Sequence, residues 1–204
     1  MYRNEFYDKI RKGETVYGFS VNYPHPVIIE TITEGWDYIW LDAQHGHMSY
    51  PDLMPCMIAA EAVGIGTIIR VPGHDFSVVG PIADLNPSAI MIPMVNNAKE
   101  AKEVSEHLHF PPLGHRSFWN TRIVHRVGGD YDQTQDLMVL AQIETAEAVE
   151  NAEEIIATEG IDALMFGPSD LALSYGLRPG TGRHGSEKIQ AAAERVIKAA
   201  KAVG

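Results

Sequence analysis

Cysteine is almost absent from this chain: Cys56 stands alone, so no internal disulfide can form, which fits a reducing compartment. Long apolar runs are missing too. No segment approaches the roughly 18 apolar residues of a spanning helix, and the start, MYRNEFYDKI, lacks the apolar stretch of a secretory signal. The chain is therefore expected in the cytoplasm. Basic residues are in deficit, 16 Lys and Arg against 27 Asp and Glu, for a formal net charge of -11. That is the wrong sign for a surface that must neutralise phosphates, so nucleic acid and anionic membrane are excluded as expected partners. Nucleotide signatures are also lacking: Gly64-x-Gly66 precedes a strand-like run instead of opening a helix after one, and Gly180-Thr-Gly-Arg183 lacks the lysine and spacing of a P-loop. No Gly-x-Ser-x-Gly elbow is present. With no repeat, low-complexity tract or linker, residues 1–204 are expected to form a single domain.

What is there is the composition of a soluble globular chain, 45% hydrophobic and 21% charged. Short apolar runs of strand length recur at Val16–Val21, Tyr38–Leu41, Thr67–Val71, Ala89–Val95, Leu137–Ile143 and Ala163–Phe166, with a weaker one near His115–Phe118. They are rich in Val, Ile and Leu without strict alternation, as strands buried on both faces of a parallel sheet should be. Helical periodicity fills the gaps. Pro26–Glu34 puts Val27, Ile28 and Thr31 on one side, Asp52–Val63 carries Leu53, Met57, Ala60 and Val63, and Ala98–Leu108 carries Val104 and Leu108. Thr145 can cap a helix over Ala146–Thr158, and Gly35, Gly64 and Gly160 follow helical patterns where a left-handed residue is wanted. This rhythm means βα units around a parallel sheet. The Pro- and Gly-rich stretches Phe110–Gly114 and Leu177–Gly185 read as surface loops.

Each apolar run ends in chemistry: Asp42-Ala-Gln-His45, Arg70, Gln142-Ile-Glu144 and Gly167-Pro-Ser-Asp170. In parallel α/β folds the carboxyl ends of strands gather the active site. Glu144 and Asp170 are candidate ligands for a hard cation, Mg²⁺ or Mn²⁺ rather than zinc; read otherwise, both are helix N-terminal carboxylates. Arg70 is either a charge-assisted donor to a keto or enolate oxygen or half of an ion pair with Asp42 or Asp84. His45, three residues beyond Asp42, is either an oriented proton-transfer group or a plain loop histidine. The amides of Ser169 and Asp170 at a helix start suit a small carboxylate. His47, His74, His107 and His109 read as surface or loop residues, and Cys56 as inert core.

Taken together, Trp40-Leu-Asp-Ala-Gln-His-Gly46, Ile69-Arg-Val-Pro72, Ile90-Met-Ile-Pro-Met-Val95, Phe110-Pro-Pro-Leu-Gly-His-Arg116, Ala141-Gln-Ile-Glu-Thr145 and Phe166-Gly-Pro-Ser-Asp-Leu171 resemble the HpcH/HpaI aldolases, the metal-dependent class II pyruvate aldolases. The resemblance implies a (β/α)₈ TIM barrel, a divalent metal (Mg²⁺ or Mn²⁺, with Co²⁺ as an alternative) and reversible cleavage of 4-hydroxy-2-oxo acids to pyruvate and an aldehyde. It makes Glu144 and Asp170 the metal ligands, Arg70 the group steadying the enolate, His45 with Asp42 behind it the proton-transfer pair, and Asp84 a supporting carboxylate near the arginine. It also makes Gln142 line the metal site and the Ser169 and Asp170 amides hold the pyruvate carboxylate. Gln44 stands where many relatives carry glutamate. The strand ends named above carry no lysine, as expected for a reaction without a Schiff base. The resemblance further implies a homo-oligomer, trimer or hexamer. Competing expectations are a lyase or synthase on citryl or malyl thioesters and a catalytically silent barrel with a binding role. The loop Phe118–Gly129 and the region after Gly176 are expected to select the aldehyde. A (β/α)₈ barrel typically takes about 250 residues, so 204 residues with six clear strands are expected to lack the last βα unit, through truncation or because a partner closes the gap.

Overall fold

A computed structural model of the chain describes residues 5–118, 122, 137–178, 180 and 186–203. Most of the expected aldehyde-selecting loop Phe118–Gly129 and much of Leu177–Gly185 lie outside these residues. The strands are β1 (Gly18–Val21), β2 (Tyr38–Asp42), β3 (Gly66–Arg70), β4 (Ala89–Ile92), β5 (Met138–Ile143) and β6 (Ala163–Phe166). They lie in sequence order in one sheet, and β1 with β2, β2 with β3 and β5 with β6 pair in parallel. Helices separate successive strands, which is the βα topology of a (β/α)₈ barrel through its sixth strand. By contacts the described chain divides into two compact units, Met1–Ile90 with Ser117–Leu137, and Met91–Arg116 with Met138–Gly204.

The first unit holds α1 (Glu5–Arg11), β1, α2 (Pro26–Ile32), β2, α3 (Tyr50–Val63), β3 and α4 (Phe76–Ala83). β3 is buried at every position, and Ile39, Leu41 and Ile69 are almost wholly covered, as a strand covered on both faces requires. Thr67 and Ser88 exchange backbone-to-hydroxyl hydrogen bonds, each 3.1 Å, so these two buried polar side chains are satisfied. α3 starts at Ser49, whose amide and hydroxyl both donate to the Asp52 carboxylate. It ends at Gly64, φ +77°, and buries Leu53, Cys56, Met57 and Ala60, while Val63 stays exposed. Burial pushes the Cys56 thiol up to about 11, so it stays protonated and unreactive.

The second unit holds the end of β4, α5 (Ala98–Leu108), β5, α6 (Ala146–Glu150), α7 (Ala152–Ile156), β6, α8 (Pro168–Ser174) and α9 (Glu187–Val203). Asn97 caps α5 by accepting from the Glu100 amide at 3.0 Å, and Thr145 caps α6 by accepting from Ala148 at 3.0 Å. α9 turns Ile189, Ala192, Val196 and Ala199 inward and packs on α7 and β6.

Besides Val63, expected inward on its helix but exposed, and Phe110, expected in a surface loop but buried, four sequence expectations need correction. On α2 the buried residue is Ile29, at 0% exposure, while Val27 is 52% and Ile28 37% exposed. A seven-residue helix is too short for a two-turn stripe to set its rotation, and its packing against α3 sets it instead. The single helix expected over Ala146–Thr158 is two, broken at Asn151, whose side-chain amide donates to the Asn96 carbonyl at 2.9 Å. His115–Phe118 forms no strand; His115 and Arg116 donate instead to Glu106 and His109 carbonyls at the end of α5. His109, expected at the surface or in a loop, ends α5 buried, with its ring Nδ1 at 2.8 Å from the Ser105 carbonyl.

The corrected face of α2 is testable. Ile29→Ala is expected to cost about 2–4 kcal/mol in urea unfolding, and Val27→Ala less than about 0.5 kcal/mol.

Candidate active site

The site residues fall into two groups, one in each unit. In the first, Asp42 and Arg70 end β2 and β3 and are register partners. Both are buried, at 3% and 7% exposure, so neither charge can rely on water. They satisfy each other through a two-pronged bond, Arg70 Nε to Asp42 Oδ1 at 3.0 Å and Nη2 to Oδ2 at 2.6 Å, the fork geometry that suits guanidinium and carboxylate. The Trp40 ring lies under the guanidinium, 4.8 Å from ring centroid to Cζ.

Asp42 also shapes the loop that follows it. Its Oδ1 accepts from the amides of Gln44 and His45, both at 3.1 Å, the local pattern by which aspartate folds a turn. Burial pushes its carboxyl up, but the Arg70 bond and charge with the His45 and Gln44 amides outweigh it and hold the carboxyl below its ordinary range. Asp42 therefore fixes the backbone of His45, whereas a proton-transfer pair would have its carboxylate orient the imidazole. That side chain is exposed on the turn. The arginine has claimed both carboxylate oxygens. Asp84 lies at the C-terminal end of α4, and its amide donates to the Gly80 carbonyl at 3.1 Å. Among the described residues both Arg70 hydrogen bonds go to Asp42, which decides between the two ion-pair partners the sequence left open.

In the second group Glu144 follows β5 and is 1% exposed. It does not cap α6, a role Thr145 fills; its Oε1 accepts from the Met94 amide at 2.9 Å. Met94 follows β4 with φ +56°, a left-handed conformation uncommon outside glycine. Gln142, two residues earlier on β5, is 3% exposed. Gly167 lies against both: a Cβ there would stand 2.7 Å from Glu144 Cβ, closer than real Cβ contacts come, and 2.8 Å from Glu144 Oε2 and 3.0 Å from Gln142 Nε2. Its amide donates to Ile143 at 2.9 Å, and Pro168 then opens α8 as its first residue. Ser169 is exposed on the first turn and Asp170 half-buried in it. Amides of a first turn have no acceptor within their own helix. Met94, Trp40 and Gly167 stand inside the sequence motifs, but the sequence reading gave Met94 and Trp40 no role and read Gly167 only as part of a helix start.

The second group suits a hard divalent cation. Glu144 and Asp170 offer carboxylate oxygens, Gln142 Oε1 is buried with no hydrogen-bond partner among the described residues, and Gly167 adds no side chain of its own beside Glu144 and Gln142. Among the described residues no three His, Cys, Asp or Glu side chains cluster. Two carboxylates with remaining positions for substrate oxygens and water match Mg²⁺ or Mn²⁺ rather than structural zinc.

A family model described as HpcH/HpaI aldolase/citrate lyase matches residues 18–204. The chain is 37% identical over 180 residues to a 4-hydroxy-2-oxovalerate aldolase of Novosphingobium aromaticivorans, covering 85% of this chain and 68% of that one. It is 30% identical to a hydroxypyruvate/pyruvate aldolase of Delftia acidovorans, covering 98% and 76%. Among solved structures, an HpcH/HpaI aldolase from Desulfitobacterium hafniense superposes with a TM-score of 0.86 at 27% identity, covering 98% of this chain and 78% of that one.

Asp42→Asn is expected to destabilise the protein by about 3–5 kcal/mol, because it strands a buried guanidinium. The folded carboxyl titrates below the unfolded one, so its contribution is complete above the ordinary carboxylate range and is lost as pH falls through the lowered value. The gap in urea midpoint between wild type and Asp42→Asn should therefore be full at neutral pH, begin to narrow below about pH 4 and close only below the lowered value.

Proposed function

Because the chain belongs to the HpcH/HpaI aldolase/citrate lyase family, we propose that it is a divalent-metal-dependent aldolase that reversibly cleaves a 4-hydroxy-2-oxo acid to pyruvate and an aldehyde. Lyase chemistry of aldolase type on small 2-oxo acids and aldehydes follows from the family. The finer reading is carried by the cradle of Gln142, Glu144 and Gly167, a buried carboxylate and amide side by side against a glycine that has no room for a side chain. The names of the relatives, a 4-hydroxy-2-oxovalerate aldolase among them, support it.

In this reading Glu144 and Asp170 hold the cation with Gln142 beside them. The cation supplies Lewis-acid polarisation of the keto and carboxylate oxygens of the 2-oxo acid. The amides of Ser169 and Asp170 hold the substrate carboxylate at the start of α8. Cleavage breaks the C3–C4 bond: the 4-hydroxyl loses its proton, the new aldehyde departs, and the electron pair moves to the keto oxygen as an enolate. Arg70 takes up that charge. With Nε and Nη2 committed to Asp42, its Nη1 keeps donors for an oxyanion, and the ion pair pre-sets their direction. His45, exposed on a turn that Asp42 fixes, accepts the hydroxyl proton, and a proton returned to C3 completes pyruvate. Asp84 is assigned a supporting role behind the arginine. The proposal extends to a cytoplasmic homo-oligomer. Among the described residues no helix is long and apolar enough to cross a membrane.

With Mn²⁺ and a panel of 4-hydroxy-2-oxo acids, wild type should release pyruvate and one aldehyde. Glu144→Gln and Asp170→Asn should each lower kcat/KM by more than about a hundredfold. Retained cleavage in both variants, or turnover of citryl or malyl thioesters only, contradicts the proposal.

A further inference from the structure

The loop between β4 and α5 contributes more than the Met94 amide. Asn96 lies two residues on, and its side chain reaches both ways. Its Nδ2 donates to the Met94 carbonyl at 2.8 Å, and its Oδ1 accepts from the Thr145 hydroxyl at 2.6 Å. Thr145 directly follows Glu144, and Met94 is the residue whose amide holds Glu144 Oε1. The bonds close a ring: Glu144 carboxylate, Met94 amide, Met94 carbonyl, Asn96 side chain, Thr145 hydroxyl, and the chain back to Glu144.

We infer that Asn96 is a positioning residue for Glu144, fixing the rotation of that carboxylate by tying the loop after β4 to the loop after β5. The inference rests on Glu144 being a metal ligand. Asn96 is itself held from several sides. Its amide donates to Glu100 Oε2 at 2.8 Å, its Nδ2 also lies 3.2 Å from that oxygen, and its carbonyl accepts from Asn151 at 2.9 Å. The last bond sits at the break between α6 and α7, so that interruption serves the same loop. Met94 adds a second constraint. Its left-handed φ of +56° turns its amide toward Glu144, and Asn96 holds the carbonyl on its other side, so the unusual backbone is kept by a side chain whose loss would release it. Asn97, the next residue, provides a control because its side chain caps α5 at the Glu100 amide and bonds neither Met94 nor Thr145.

The test is Mn²⁺ affinity of the intact chain by titration calorimetry, read beside thermal unfolding. Asn96→Ala and the isosteric Asn96→Asp, which keeps the acceptor for Thr145 but loses the donor to Met94, should each weaken Mn²⁺ binding by about tenfold or more. Asn97→Ala should lower the thermal midpoint and leave Mn²⁺ affinity within about twofold of wild type. If both Asn96 variants bind Mn²⁺ as wild type does, or Asn97→Ala loses as much affinity as they do, the positioning role is overturned while the metal reading stands. If wild type itself binds no Mn²⁺, the metal reading falls and this inference with it.

Discussion

A charged group at the covered end of a parallel strand must find a partner, because burying it alone costs several kcal/mol, a large share of the stability a domain of this size has. Asp42 and Arg70 meet that demand in each other at adjacent ends of β2 and β3. The turn carrying Gln44 and His45 is then built on the same carboxylate. Glu144 meets it differently, drawing the Met94 amide out of a left-handed backbone. In both cases the satisfaction of one buried charge decides the path of a loop, and those loops carry the groups proposed to do the chemistry.

Much of this architecture was legible in the chain. The six strands follow the apolar runs to within a few residues, and Asp42, Arg70 and Glu144 stand at the ends of β2, β3 and β5 as the runs suggested, because strands covered on both faces leave charge only at their ends. Gly35, Gly64 and Gly160 adopt the left-handed conformation expected after their helices, and Thr145 caps as its position suggested. Local chemistry with a fixed offset reads well.

What failed to read depends on distant neighbours. The choice of Asp42 over Asp84 as the partner of Arg70 is a matter of register between β2 and β3, which no spacing along the chain states. The rotation of α2 follows from α3, and the break at Asn151 from a carbonyl 55 residues away. Gly167 looked like a helix start; its closeness to Glu144 and Gln142 arises only once β5 and β6 pair. The motifs that resemble the aldolase family supplied what periodicity could not, and the match over residues 18–204 bears that resemblance out.

The central claim is that these residues make an enolate of a 2-oxo acid with the help of a divalent cation, whichever aldehyde is used. Exchange of the pyruvate methyl hydrogens with solvent deuterium, followed by proton NMR without any aldehyde, isolates that step. The account predicts exchange that requires Mn²⁺ or Mg²⁺ and stops when the cation is chelated. Exchange that continues under chelation, or none with the cation present, would contradict it.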